Sequence, residues 1–300
     1  MSQITASLVR ELREKTNAGM MDCKAALVEA AGDLEEAAVI LRKKGIAKAD
    51  KKASRAAEEG VIRSAVSDDG RVGALVEINC ETDFVAKNEN FDSFAAAVVE
   101  HAASSSLDTL ADLLAAPFKD GSTSLEEAVK AKIAEVGENI VVRRFTRFAM
   151  ASDGHGLITS YIHLAGRVGV LLEVGCGKAD TVGNNTFREL AKDLTLHIAA
   201  SSPLCVGRDD VPADKVEAEK EVYRGQVQEQ MKNKPAEVVE KIIGGKLGKF
   251  YSTVCLLEQG FVKEPDNSIA DLLAKVGKEL GDTLTVRRFV RFAVGEDVES

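Results

Sequence analysis

The chain has 300 residues, a formal net charge of −9 and no tryptophan. That length gives room for about two domains and a sizeable core, and the acidic balance argues against broad phosphate binding, which needs a basic surface. No apolar run is long enough to span a bilayer, and Met1-Ser2-Gln3-Ile4-Thr5 lacks the basic start and apolar stretch of a secretory leader. Five scattered cysteines (23, 80, 176, 205 and 255) form no C-x-x-C pair, so reduced thiols, a cytoplasmic location and no zinc site are expected.

Residues 1 to about 55 read as a small helical domain. Ile4, Leu8 and Leu12 share a helical stripe with Val9 beside it, and Thr16-Asn17-Ala18-Gly19 breaks that helix. Met21 to Ala30 forms a second helix presenting Cys23, Ala26, Leu27 and Ala30. Gly32-Asp33 stops it, and Asp33 with Glu36 resembles a capping box for a third helix carrying Leu34, Ala37, Ala38 and Leu41. Met20 and Met21, at the turn, suit either an adaptable contact surface or the small core. The basic run from Arg42 to Arg55 is open to RNA, but reads more simply as a solvated helix face or linker, because no aromatics interleave to stack bases.

From Gly60 the spacing predicts a strand over 61–66, a turn at 67–70 and an antiparallel partner over 72–79. Then comes Glu77-Ile78-Asn79-Cys80-Glu81-Thr82-Asp83-Phe84-Val85-Ala86-Lys87, a strand end running into a polar turn that carries an Asp-Phe pair. Such a pair can project as an anchor, or Phe84 can tuck under its own turn while Asp83 caps the next helix. Phe91, Phe94, Ala95, Val98 and Ala102 mark an amphipathic helix. Segments 107–114 and 124–136 read as further helices, and Gly137 precedes a strand over 140–150.

An internal repeat decides between the two readings of Phe84. Gly60 to Ser105 matches Gly156 to Ser201 without a gap at an offset of ninety-six, with Cys80 returning as Cys176, Phe91 as Phe187 and His101 as His197. Thr82-Asp83-Phe84-Val85 returns as Lys178-Ala179-Asp180-Thr181. A residue needed to close the turn would have an apolar counterpart, so the Asp-Phe pair is expected to face outward. The last strand repeats at an offset of one hundred and forty-four, with Val142-Arg143-Arg144-Phe145-Thr146-Arg147-Phe148-Ala149 returning over Val286 to Ala293. Its alternation puts Phe145 and Arg147 on one face, and Arg144 and Phe148 on the other, with arginine stems lying over apolar surface.

The two offsets differ by an insertion between about Val206 and Lys249. It reads as a projecting helical hairpin with Val216, Tyr223, Val227 and Met231 as sparse apolars. Pro235 would be the first residue of its second helix, and Gly244-Gly245 its end. The predicted architecture is α+β: residues 1–55 a three-helix domain; 56–151 one antiparallel sheet backed by helices; 152–206 and 250–300 a second; 207–249 the inserted hairpin. No phosphate loop, nucleophile elbow or dinucleotide fingerprint occurs. His155 and His163 have no matching ligands, and Phe250 stands where a phosphate loop needs Ser or Thr. Sites also assemble from residues scattered along the chain, so an enzyme stays open as an alternative to the expected reading, a soluble two-lobed binding protein without catalytic residues, cofactor, resident metal or membrane segment.

Two segments resemble the signatures of the bacterial elongation factor Ts family. They are Leu12 to Leu27, with Asn17 where the family often has glycine, and Glu77 to Lys87; the likeness runs from about residue 1 to about 295. The resemblance implies a ubiquitin-associated-like (UBA-like) helical domain, a two-part core and a hairpin that can serve dimerisation. It also implies a guanine-nucleotide exchange factor, not an enzyme, that binds elongation factor Tu and releases its GDP. Thr82, Asp83, Phe84 and Val85 would push into the nucleotide-binding domain of Tu and dislodge its magnesium. Arg13, Met20 and Met21 would bind the same domain, with no direct contact to nucleic acid. Many relatives carry a further C-terminal helix, whereas this chain runs only a few residues past Val294-Gly295-Glu296.

Overall fold

The computed structural model describes residues 4–16, 18–119, 121–230 and 236–297. Three helices come first: α1 (Ala6–Thr16), α2 (Met20–Glu29) and α3 (Leu34–Lys52). They close on a small core of Val9, Leu12, Cys23, Ala26, Leu27, Ala30 and Ala37, the stripes read from the sequence. Leu12 and Leu27 are fully buried and contribute roughly 1.5–3 kcal/mol each. Asp33 caps α3 by accepting from Glu35 N and Glu36 N, both at 2.9 Å. Asn17, in the turn between the first two helices, lies outside the described residues.

The remaining elements are β1 (Glu59–Val66), β2 (Val72–Cys80), α4 (Asp83–Ala86), α5 (Glu89–Ser104), α6 (Leu110–Ala115), β3 (Pro117–Phe118), β4 (Thr123–Ser124), α7 (Leu125–Val136), β5 (Ile140–Ala149), β6 (Gly156–His163), β7 (Val168–Cys176), α8 (Asn185–Ser201), α9 (Ala213–Gln230), α10 (Ala236–Val254), β8 (Gly260–Phe261), β9 (Glu264–Ser268), α11 (Ile269–Leu280) and β10 (Leu284–Ala293). The chain is α+β, with two three-stranded antiparallel sheets ordered β1-β2-β5 and β10-β7-β6. Each has its own helix-side core, around Phe91 in one and Phe187 in the other.

The opposite faces of the two sheets pack together. Ile62, Leu75, Phe148, Ile158, Leu171 and Phe292 form a third cluster between them, and Ser160 Oγ donates to Ser64 Oγ at 2.9 Å. Gly73 and Gly169 permit this approach. A Cβ on Gly73 would lie 2.7 Å from the Ile158 methyl, and one on Gly169 only 2.4 Å from the Ile62 methyl. Arg144 and Phe148 face this seam as their alternation predicts. The Arg144 guanidinium lies 4.1 Å over the Phe292 ring, and Arg288 lies 4.3 Å over Phe148. Both arginines are also paired within their own sheet, to the buried carboxylates of Glu77 and Glu173 at 2.7 Å. Phe145 and Arg147 face the helices instead, where Arg147 Nε donates to Ala103 O.

Several local expectations are corrected. α6 begins at Leu110, where Thr109 caps it, and not at Leu107. Two short hairpins, β3–β4 and β8–β9, were not read from the sequence, because two-residue strands show no periodicity and the five residues of β9 (Glu264-Pro265-Asp266-Asn267-Ser268) carry no apolar alternation. α10 does not end at Gly244-Gly245. It runs to Val254, and a Cβ at Gly244, Gly245 or Gly248 would meet nothing within 4 Å. Glycine weakens a helix without terminating it when flanking residues continue the pattern. Val216 packs at the hairpin base with Phe250, Tyr251 and Val254, and Tyr223 stacks under Lys246. The Val227 side chain, Met231 and Pro235 lie outside the described residues.

Candidate functional site

The four residues of the singled-out turn divide by task. Thr82 is the N-cap of α4: its Oγ1 accepts from Val85 N at 3.4 Å and donates to Glu138 Oε1 at 2.6 Å. Glu138 Oε2 accepts from Glu81 N and Thr82 N at 3.1 and 3.0 Å. One carboxylate therefore latches the turn through three donors, the charge-assisted kind of bond. Val85 is half-buried and packs against the first sheet's core with Ala86. Asp83 and Phe84 face solvent, and the Phe84 ring is 82% exposed. Asp83 pairs with Lys87 at 2.6 Å, and that hydrogen bond holds its carboxyl below the ordinary carboxylate range.

The latch is anchored in turn to the helical region. Lys52, at the end of α3, donates to Gly137 O. Asn139 N donates to Glu81 Oε1 at 2.6 Å, and Asn139 Nδ2 donates to Arg55 O at 2.8 Å. Glu138 and Asn139 were missed in the sequence. The signal was present, because Gly137-Glu138-Asn139-Ile140 aligns with Gly281-Asp282-Thr283-Leu284 when the second repeat is extended backward. Asp282 does the same work for the second turn, accepting from Gly177 N and Lys178 N, both at 3.0 Å. Its carboxyl is held below the ordinary range chiefly by the Thr181 hydroxyl.

Arg13 is exposed on α1, and Met20 and Met21 are exposed at the start of α2, outside the small helical core. The helix α2 starts one residue earlier than the spacing predicts, with Gly19 as N-cap and no side-chain cap. The basic run lies on α3 and the loop after it, and much of it is engaged within the chain: Arg42 with Glu127, Lys44 with Glu29, Lys48 with Asp22, Arg55 with Glu81. His101 and His197 both pack. His101 meets Phe118 edge-on at 5.3 Å, and the buried His197 bonds Gln259 Oε1 at 2.9 Å. Burial pushes both imidazoles below the ordinary histidine value. Among the described residues no group of three or more His, Cys, Asp or Glu is arranged to hold a metal, and no helix is long and apolar enough to cross a membrane.

The family model described as "Elongation factor TS" matches residues 81–296. A protein named Elongation factor Ts from Trichlorobacter lovleyi is 46% identical over 297 residues, 99% of this chain and 94% of its own length. Proteins of that name from Clostridium perfringens and Methylococcus capsulatus are each 47% identical over 296 residues, again 99% of this chain and 94% of theirs. By class the chain is a translation elongation factor. It belongs to the elongation factor Ts family.

Proposed function

We propose that the chain is a guanine-nucleotide exchange factor that binds elongation factor Tu and promotes release of its GDP, acting by binding and not by catalysis of a covalent step. The observation that carries this reading is Phe84, an aromatic exposed at 82% on a turn latched to the core through Thr82 and Glu138. A rigidly held aromatic in water is suited to inserting into a partner, because little ordering entropy remains to be lost on contact. Asp83 beside it carries negative charge toward the region where magnesium balances phosphate charge in the nucleotide site of Tu. Val85 supports the turn from beneath, and Arg13, Met20 and Met21 add contact area on the same partner.

Exchange requires differential binding. The chain must bind nucleotide-free Tu more tightly than the GDP form, and GDP must weaken that binding by the same factor. Phe84 and Asp83 supply the difference if they fit only the displaced geometry. The proposed division is a UBA-like helical domain over 1–55, a duplicated core over 56–151 and over 152–206 with 250–300, and a hairpin over 207–249 that serves self-association. The deciding experiment is release of labelled GDP from elongation factor Tu. Sub-stoichiometric amounts of the chain should accelerate it, and an unchanged release rate overturns the reading.

A further inference from the structure

The inserted hairpin leaves and rejoins the second half of the molecule at one point, and two cysteines meet there. Cys205 and Cys255 form a parallel backbone bridge. Leu204 N donates to Val254 O at 2.8 Å and Leu256 N to Cys205 O at 2.9 Å, so the two chain segments are zipped together on either side of the thiols. Their sulfurs lie 3.8 Å apart, in contact but not bonded. Val211, Val216, Phe250, Tyr251 and Val254 close around them. Cys205 Sγ also donates to Gly207 O at 3.2 Å, and the other three cysteines, which have no thiol beside them among the described residues, donate likewise: Cys23 to Ala18 O, Cys80 to Thr82 O and Cys176 to Lys178 O.

We infer that Cys205 and Cys255 are a disulfide-forming pair that locks the base of the hairpin when a peroxide oxidises it. Bridged neighbouring strands stand about 4.8 Å apart, inside the Cα separation that a disulfide spans. The sulfurs need to close from 3.8 Å to about 2.0 Å. Cys205 is slightly exposed, at 9%, and Cys255 not at all, so the oxidant reaches Cys205 first. Burial pushes both thiols up, Cys255 to about 12. Cys205, the sulfur that the oxidant reaches, is the nucleophile, and Cys255 is the resolving thiol.

The Cys205 sulfur, as thiolate, attacks one peroxide oxygen. The O–O bond breaks, the departing hydroxide takes up the thiol proton as water, and Cys205 becomes a sulfenic acid. The Cys255 sulfur then attacks the Cys205 sulfur, the S–O bond breaks, and the hydroxyl leaves with the Cys255 proton as a second water. Two thiols are oxidised and one peroxide is reduced to two waters. The new bond closes a covalent loop through the whole hairpin and fixes both arms to the core. A small-molecule dithiol reopens it.

The test treats the full chain with hydrogen peroxide until Met20 and Met21, both exposed, show oxidation, which proves that the dose suffices. The protein is then denatured, alkylated and mapped by peptide mass. The expected map joins the Cys205 and Cys255 peptides with the loss of two hydrogens and leaves Cys23, Cys80 and Cys176 alkylated. Dithiothreitol restores all five labels. A protease cut within the hairpin leaves the two arms joined on a non-reducing gel only after oxidation. In Cys255→Ser, Cys205 stops at the sulfenic acid, and its dimedone adduct rises severalfold over the parent. Five alkylated cysteines at the sufficient dose, a link between any other pair, or sulfinic acid at Cys205 without a link overturns the proposal; the map of the unmutated chain decides even if the variant fails to fold.

Discussion

The turns after β2 and β7 share a scaffold and differ at the tip. Each leaves a central strand at a buried cysteine whose thiol donates to a carbonyl two residues on. Each is latched by a carboxylate from the loop before its sheet's last strand, Glu138 in one and Asp282 in the other. Each hands over to a long helix capped by an asparagine, Asn88 or Asn184. At the tip the first turn is one turn of α-helix showing Phe84, whereas the second is a 3-10 turn showing Asp180. Residues inward of the tip answer to packing in both turns: Val85 meets its core, and Thr181 is buried and bonds Asp282 at 2.5 Å. The tip position faces water in both. Folding therefore places no demand for an aromatic there, which leaves Phe84 free for the partner contact proposed above.

The comparison is tested most strongly by setting buried phenylalanines against the exposed one. Phe91 and Phe187 occupy equivalent, fully buried positions. Changing either to Ala should cost roughly 3–5 kcal/mol of folding stability, read by denaturant unfolding. Phe84→Ala should leave the melting temperature nearly unmoved while costing about 2 kcal/mol of binding to nucleotide-free Tu. Asp180→Phe should add no exchange activity, since the second tip is a 3-10 turn with Ala179 where the first turn has Asp83. A Phe84→Ala protein that unfolds like Phe91→Ala would return the ring to a structural role.

The latch comes next. Glu138→Ala removes the acceptor of three bonds at Thr82 and Glu81 and should cost about 1–3 kcal/mol of stability. It should also slow GDP release, because the tip loses its frame. Asp282→Ala should lower the melting temperature and leave release unchanged. Equal loss of release in both would show that the two turns act together.

The histidines give a pH test. Burial lowers the His197 pKa, so the unfolded chain binds more protons in the acidic range. The neutral side chain's contribution is complete above the ordinary value of about 6.5 and is lost as pH falls from there through the lower folded value. Melting temperature should decline on acidification through that window, and His197→Gln should flatten the decline. The half-buried His101 should contribute less by the same sign. The smallest effect is that of Asp83→Ala, on an exposed group paired only with Lys87. It should slow GDP release more than it weakens binding to nucleotide-free Tu, and a proportionate loss of both would remove its separate role.

Much of this organisation is legible in the sequence because repetition exposes it. Side chains that return at the two offsets are those that strands and helix faces bury, as Phe91 and Phe187 do, and the alternation along β5 gives the correct face for Arg144 and Phe148. The failures arise where a residue's partner is distant in the chain or its cost is invisible in the pattern. Glu138 meets Thr82 only after α5, α6 and α7 have been laid down between them. Gly244 and Gly245 read as a stop because glycine is a poor helix former, yet the helix continues across them to Val254. At the candidate site the outward tip is readable, whereas for the latch the repeat marks the acidic position, Glu138 and Asp282, without naming its partners.

The crossed arginines have a consequence for biosynthesis. Arg144 belongs to the first-made sheet, but the ring it covers, Phe292, is carried by the last strand. A chain emerging from its N-terminus can complete the first helix-side core while β5 is fresh from the ribosome. Its seam-facing surface, with Ile62, Leu75 and Phe148, then stays bare until nearly all of the second sheet has been synthesised. The nascent first half is thus an adhesive intermediate throughout the time taken to make residues 150–292, a target for chaperones or for the same half of a neighbouring chain on the same message.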